Sequence, residues 1–264
     1  MKDNIGSEAT NRAYVLTEAT YGQLRQSNPT VAVLPWGATE AHNYHLPYGT
    51  DILEAVLFAE EAAARACKRG ARPIVLPAVP FGNNAQQLDQ AATIHLSTST
   101  AAAILDDVAM SLVSQNIDRM VILNSHGGNE FKPLVRDLMN RRKLLCVLVN
   151  FYQMVPNEHK AIFEMPGDHA DEMETSLLLY LRPQLVRLSE AGPGERKPFA
   201  LKKIEQPGVW TPRPWSAVHP DTGSGDPSTA SAEKGRRYFD VVCEAIAELL
   251  VELSDARKGD VPYA

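Results

Sequence analysis

Glu40, His42, His45 and Asp51 fall within twelve residues, in the stretch Leu34-Pro35-Trp36-Gly37-Ala38-Thr39-Glu40-Ala41-His42-Asn43-Tyr44-His45-Leu46-Pro47-Tyr48-Gly49-Thr50-Asp51. Carboxylate and imidazole together are the donors that borderline divalent ions such as zinc and manganese take. Glu40 and His42 stand two apart, so an extended backbone puts both side chains on one side. Asp51 closes the stretch where a helix begins, a place that also favours negative charge. Singly, these residues read as solvated loop positions and a helix cap. With the two clusters below, they read as a metal site.

The second cluster is Ser125-His126-Gly127-Gly128-Asn129. His126 stands at a strand end, the two glycines let backbone approach a metal or substrate closely, and Asn129 could cap the next helix. The third is Gly167-Asp168-His169-Ala170-Asp171-Glu172-Met173-Glu174-Thr175-Ser176, opening an apolar helix that stops before Pro183. On a helix the three-residue spacing turns His169 and Glu172 to one face. Glu174 then points elsewhere, unless the helix begins only after His169. The plainer reading is an acidic helix N-terminus complementing the dipole.

The elements that must position these residues follow from periodicity. Val31 to Leu34 is a short buried strand, preceded by an entry helix from Thr17 to Gln26. Asp51 to Arg69 carries Ile52, Ala55, Val56, Ala59, Ala63 and Ala66 at helical spacing, and Gly70 stops it. Pro73 to Leu76 is a second strand, running into a long Asn/Gln-rich loop through His95, which is as well explained by solvation as by function. A helix from Ser97 to Asn116 follows, with Ser97 or Ser99 as cap. Then come a strand Arg119 to Asn124, a helix Glu130 to Arg142 and a strand Leu144 to Phe151.

Alternation of this kind indicates a parallel sheet covered on both faces, an α/β fold in which ligands bind beyond the carboxyl ends of the strands. Residues 185–216 wander over the surface, with Trp210 and Trp215 as a pocket wall or as packing. Ser228 to Leu253 is the closing amphipathic helix. With no internal repeat, the expectation is one domain over 1–264 with its core at about 14–254.

A net charge of −6 without clustered Lys and Arg argues against a nucleic-acid partner. The three cysteines, Cys67, Cys146 and Cys243, are widely separated and read as buried free thiols. Met1 to Asn11 has no signal-type apolar stretch, and no run approaches the roughly 18 residues of a membrane span. The expected location is cytoplasmic.

These clusters resemble the creatininase (creatinine amidohydrolase) family. Its Glu-x-His-Gly-Pro-His-Leu-Pro followed by Asp is matched by Glu40 to Asp51, with Asn43 and Tyr44 for Gly and Pro. Its His-Gly-Gly-Asn turn is matched by His126 to Asn129. Its His-Ala-Gly-Glu-x-Glu-Thr-Ser stretch is matched by His169 to Ser176, with Asp171 for Gly, and its late Gly-Asp-Pro by Gly225 to Pro227.

The resemblance implies a three-layer α/β/α fold with a mostly parallel sheet. It implies a homohexamer and one or two divalent ions per chain, zinc first, with manganese or iron as the other candidates. By position, Glu40, His42, Asp51 and His126 correspond to ligands, Asp51 bridging two ions. His169 corresponds to the histidine that moves a proton; Glu172 or Glu174 would orient it or hold metal, with Glu174 set beside His169 as the catalytic pair. In creatininase itself a glutamate two residues after the turn histidine also binds metal, and Gly128 stands there in this chain. Charge balance then assigns Glu172 to the second ion.

The activity so implied is hydrolysis of a C–N bond in a small cyclic amide by metal-activated water. Asn84-Ala85-Gln86-Gln87 and Ala91-Ala92-Thr93 replace the family's Ser-x-Glu-His and Phe-Pro-Gly-Thr, which argues against creatinine itself. Formamides and cyclic sugar-derived ketones, cleaved at a C–C bond, are the alternative small-molecule substrates. A metal-stabilised binding protein without turnover is the rival from another class, and the spare His169 argues against it. No Gly-x-Ser-x-Gly elbow supports a nucleophile-based hydrolase.

Overall fold

The computed structural model describes residues 12–256, so the polar stretch Met1 to Asn11 lies outside the described residues. Strands β1 (Val31–Trp36), β2 (Pro73–Val75), β3 (Arg119–Asn124) and β4 (Leu145–Asn150) form one parallel sheet in the order β2-β1-β3-β4. Every residue of β1, β2 and β3 is buried, as expected of strands covered on both faces.

Alternate side chains feed two cores. Val31, Val33, Val75, Val121 and Leu123 pack under α2 (Thr50–Lys68), α5 (Pro156–Ile162), α6 (Glu172–Leu181) and α8 (Ala232–Asp255). Ala32, Leu34, Trp36, Met120 and Ile122 pack under α3 (Thr98–Ser114) and α4 (Phe131–Arg141). The result is the expected three-layer α/β/α arrangement. Helix α8 seals the first core with Tyr238, Val242, Cys243, Ile246 and Leu250, all fully buried and spaced at three and four residues. Val242, Ile246 and Leu250 each contribute about 1.5–3 kcal/mol of burial. Cys146 and Cys243 are buried and Cys67 half-buried, all three as free thiols.

The chain leaves β1 for β2 on one side and later returns to β3 on the other. The carboxyl ends of β1 and β3, where Trp36 lies opposite Asn124, are therefore the point at which the topology divides. A crevice opens there in open α/β sheets. Gly37 lets the start of α2 close onto it: a Cβ on Gly37 would lie 2.7 Å from the Ile52 nitrogen and 2.8 Å from the Asp51 carbonyl carbon. That close approach sets Asp51 beside the end of β3.

Several local expectations are corrected. The entry helix, α1 (Tyr21–Ser27), begins only after Thr20, which forms a capping box with Gln23. Asn129 does not cap α4; its amide accepts from the Asn83 N–H and donates to Asn124. The third cluster does not open as a helix at Gly167. Gly167–His169 is instead a short strand, β5, antiparallel to β6 (Ser224–Gly225) beyond the one-turn α7 (Trp215–Val218), and α6 starts at Glu172. Among the described residues no helix is long and apolar enough to cross a membrane.

Candidate metal centre

Six side chains from three stretches of chain meet in the crevice: Glu40 and His42 on the loop after β1, Asp51 at the start of α2, His126 after β3, His169 in β5 and Glu174 in α6, all buried. Their ligand atoms form three groups, each within 4.8 Å: Glu40, Asp51 and His126; His42, Asp51 and Glu174; Glu40, His42 and His169. Asp51 joins the first two. Its Oδ2 lies 3.2 Å from His126 Nδ1, and its Oδ1 lies 3.1 Å from His42 Nε2. On the first side His126 Nδ1 is also 2.9 Å from Glu40 Oε1; on the second, His42 Nε2 is 3.9 Å from Glu174 Oε2. One carboxylate thus faces two donor groups, the arrangement of a bridging ligand.

Each imidazole is oriented through its other nitrogen. His42 Nδ1 lies 3.1 Å from the Glu40 carbonyl oxygen, His126 Nε2 3.2 Å from that of Asn83, and His169 Nε2 2.8 Å from that of Ala41. A carbonyl needs a donor, so these contacts put an N–H on the outer nitrogen of each ring and leave the inner nitrogen as the one that can lose its proton and bind an ion. The loop that carries His42 turns at Asn43, whose φ of 52° is left-handed. Asn is the residue that best replaces Gly there. Its side chain then ties the turn to Gly192 in both directions.

Burial disfavours every charge in the cluster, and the charges answer by pairing. Burial pulls His42 down, but the Asp51, Glu174 and Glu40 carboxylates raise it to about 10. His126 is raised in the same way by Glu40 and Asp51. Asp51 is held below the usual carboxylate range against its burial, mainly by His42. Glu174 is pushed up to about 8 by burial. Two buried oxygens, Glu40 Oε1 and Asp51 Oδ2, converge on the one nitrogen His126 Nδ1, which cannot serve both with a well-aligned hydrogen bond. Buried carboxylate oxygens gathered round the inner imidazole nitrogens are a donor set that fits a divalent ion in place of the shared protons.

Of the residues singled out from the sequence, Glu172 does not join the others. It accepts from Lys234 Nζ and from the backbone N–H groups of Glu164 and Met165, at 2.7 and 2.8 Å, on the far side of α6. Burial opposes its ionisation, but these partners hold the carboxyl below its usual range. Glu174, set by the sequence reading beside His169 in the catalytic role, instead stands with His42 and Asp51 where Glu172 was expected, because α6 begins after His169. Asp171 caps α6, accepting from the Met173 and Glu174 N–H groups. The signal was present as Asp171-x-x-Glu174, an Asp three residues before a Glu at the head of an apolar run. His45 turns away to Thr175 Oγ1 at 2.8 Å.

A cavity of about 670 Å³ opens onto the cluster, with Glu40, His126, His169 and Glu174 in its lining. Trp215 meets the His169 ring edge-on at 5.1 Å and carries the Arg213 guanidinium 4.5 Å over its own ring. Arg213 is paired with Asp168 at 2.9 Å. Trp210, 82% exposed, stands at the mouth. Both tryptophans are pocket wall, and Trp215 is packing as well. Sequence reasoning missed Tyr152 in this lining and names Gln87 only within the segment Asn84-Ala85-Gln86-Gln87; nothing in their local pattern announces a place beside the cluster.

The family described as Creatininase: Creatinine amidohydrolase matches residues 16–250. The chain is 31% identical over 238 residues to the mycofactocin precursor peptide peptidase of Mycobacterium tuberculosis, covering 85% of each protein. A Bacteroides fragilis NCTC 9343 protein of the creatinine amidohydrolase type has a crystal structure matching this one with a TM-score of 0.88. It is 40% identical, with 94% of this chain and 98% of that one covered. A creatininase variant of Zn–Zn type shares the fold, with a TM-score of 0.76 at 22% identity over 92% of this chain and 99% of that one. Sequence profile, fold and cluster agree: the chain belongs to the creatininase family.

Proposed function

We propose that this chain is a metal-dependent hydrolase that cleaves an amide C–N bond in a substrate of small-molecule to short-peptide size. Glu40, Asp51 and His126 would hold one divalent ion, and His42, Asp51 and Glu174 a second. Zinc is the first candidate, with manganese and iron next. The observation that carries this reading is Asp51, with one oxygen turned to each donor group. Bound ions would supply Lewis-acid polarisation of the scissile carbonyl and a water acidic enough to react near neutral pH.

The chain's own residues supply proton handling. His169 Nε2 is committed to the Ala41 carbonyl, so only Nδ1, 3.7 Å from Glu40 Oε1, is free to exchange a proton. Burial and the neighbouring His42 hold His169 below its ordinary pKa, which keeps it neutral and ready to accept. Having accepted, it becomes the acid that can protonate a leaving nitrogen. Trp215 fixes the ring from the side, and Glu174 acts as ligand with His42. A cavity of about 670 Å³ accommodates a cyclic amide or a short peptide amide.

The family match over residues 16–250 supports one domain with its core at about 14–254; that it works as a homohexamer in the cytoplasm is part of the same proposal.

The test is metal content per chain for wild type and His126→Ala, together with turnover of a panel: creatinine, a formamide, a cyclic imide, a short peptide and a cyclic ketone. The expected result is about two ions in wild type, at least one lost in the variant, and turnover of an amide. Absence of metal from both proteins after purification in metal-containing buffer would sink the proposal. Turnover of the ketone alone would move the chemistry to a C–C bond.

A further inference from the structure

We propose that Gln87 is the positioning residue of the Glu40 carboxylate, and that the loop carrying it sets the affinity of one of the two ions and not the other. The inference rests on the two-ion reading above. Gln87 is 2% exposed, at the end of a 3-10 turn over Ala85–Gln87, and its Nε2 donates to Glu40 Oε2. The amide orientation is fixed, since the reverse would set carbonyl oxygen against carboxylate. With Oε2 engaged by Gln87, Oε1 is the oxygen turned to His126, 2.9 Å from its Nδ1, and the donor on Oε2 favours one-oxygen ligation there.

The same loop grips the second residue of that group. The Asn83 carbonyl accepts from His126 Nε2 at 3.2 Å. The fit is close enough to forbid a side chain at the neighbouring position: a Cβ on Gly128 would lie 2.4 Å from His126 Nε2 and 2.5 Å from the Asn83 oxygen. Loop backbone thus fills the room a side chain at 128 would need, so a ligand there and this loop are mutually exclusive.

The loop is itself stitched down. Asn84 donates its backbone N–H to His95 Nδ1 at 3.1 Å, and its side-chain amide to the Thr39 and Ile94 carbonyls at 3.2 and 3.0 Å. The Asn83 N–H is bound to Asn129 Oδ1 at 3.0 Å. This clip holds Glu40 and His126, while His42 and Glu174 are oriented by other groups, the Glu40 carbonyl and the Ala170 N–H. Partners of this kind behind metal ligands are worth about 10–100-fold in metal affinity.

The experiment is stepwise zinc binding to the metal-free protein, by calorimetry against a competing chelator, with cobalt absorption spectra as a report on coordination. Gln87→Leu keeps the shape and removes the donor. It is expected to weaken one of two binding steps by about 10–100-fold, leave the other unchanged and alter the cobalt spectrum. Gln87→His returns an N–H at similar reach and is expected to restore the step. Gln86→Leu, on the same turn but without contact to Glu40, is expected to bind as wild type. If Gln87→Leu does not fold, Gln87→Met makes the same deletion with the same expectation. Two unaltered steps in the donor-free variant overturn the inference, and so does equal weakening of both steps. A wild type that binds no zinc takes down the two-ion reading and this inference together, whereas a two-ion wild type matched by Gln87→Leu refutes only this one.

Discussion

Glu172 and Glu174 are two buried carboxylates two positions apart on one helix, with opposite destinations. Two residues turn about 200° around a helix, so only one can reach the crevice. The choice is made by Asp171, which caps α6 and starts it after His169. Glu172 then serves the fold: with Lys234 and two backbone N–H groups it pins the segment leading into β5, and hence His169. Glu172→Gln is expected to leave metal content at the wild-type value and to lower stability in urea by about 1–3 kcal/mol, the usual cost of weakening a buried polar network. Glu174→Gln should do the reverse, losing one ion with the fold retained. Metal analysis and urea unfolding of the two variants separate the roles, and loss of metal from Glu172→Gln would return that residue to the site.

At the scale of elements, the site depends on how closely α2 approaches the end of β1. Gly37 permits that approach, and the atoms a Cβ would meet are α2 backbone, which has no rotamer to give. Gly37→Ala is expected to push the start of α2, and Asp51 with it, away from His126. The expected cost is about 1–3 kcal/mol in stability, together with weaker metal binding, read as a smaller rise in Tm on adding zinc. An unchanged zinc-induced rise would show that Asp51 tolerates the displacement.

The same scale explains what could be read from sequence. β1, β3, α2 and α3 carry apolar periods long enough to declare themselves, and Glu40, His42, Asp51 and His126 flank them at fixed offsets. β5 has three residues without alternation and pairs with only two, so a strand there was illegible, as was the seven-residue α5. The partnership of Gln87 with Glu40 spans 47 positions and is made by a loop with no period, so nothing local announces it. The start of α6 was legible through its cap, and missing it exchanged Glu172 for Glu174.

For the whole molecule, the cluster is a charge problem with two solutions. Without metal it closes by sharing protons: His42, raised to about 10 from 6.5, stays cationic beside Asp51, and Glu174, raised to about 8 from 4.5, stays protonated near neutral pH. Both groups bind protons more tightly in the folded state. Their contribution is therefore whole at low pH and is lost as pH rises, for Glu174 from about 4.5 to 8 and for His42 from about 6.5 to 10. With ions bound, positive charge no longer depends on protons, and binding must release them. An ion at 1,000 times its Kd stabilises by about 4 kcal/mol, and each kcal/mol moves Tm by roughly 2–4 °C at this size. Chelation is thus expected to lower Tm on the order of 10 °C near neutral pH. The gap between loaded and chelated protein should be narrow at pH 6 and wide at pH 9, because only the chelated protein draws stability from the protons on His42 and Glu174, and that contribution shrinks as pH rises. Thermal scans of both forms across that range check it: parallel curves would mean that the protons on His42 and Glu174 do not hold the empty cluster together.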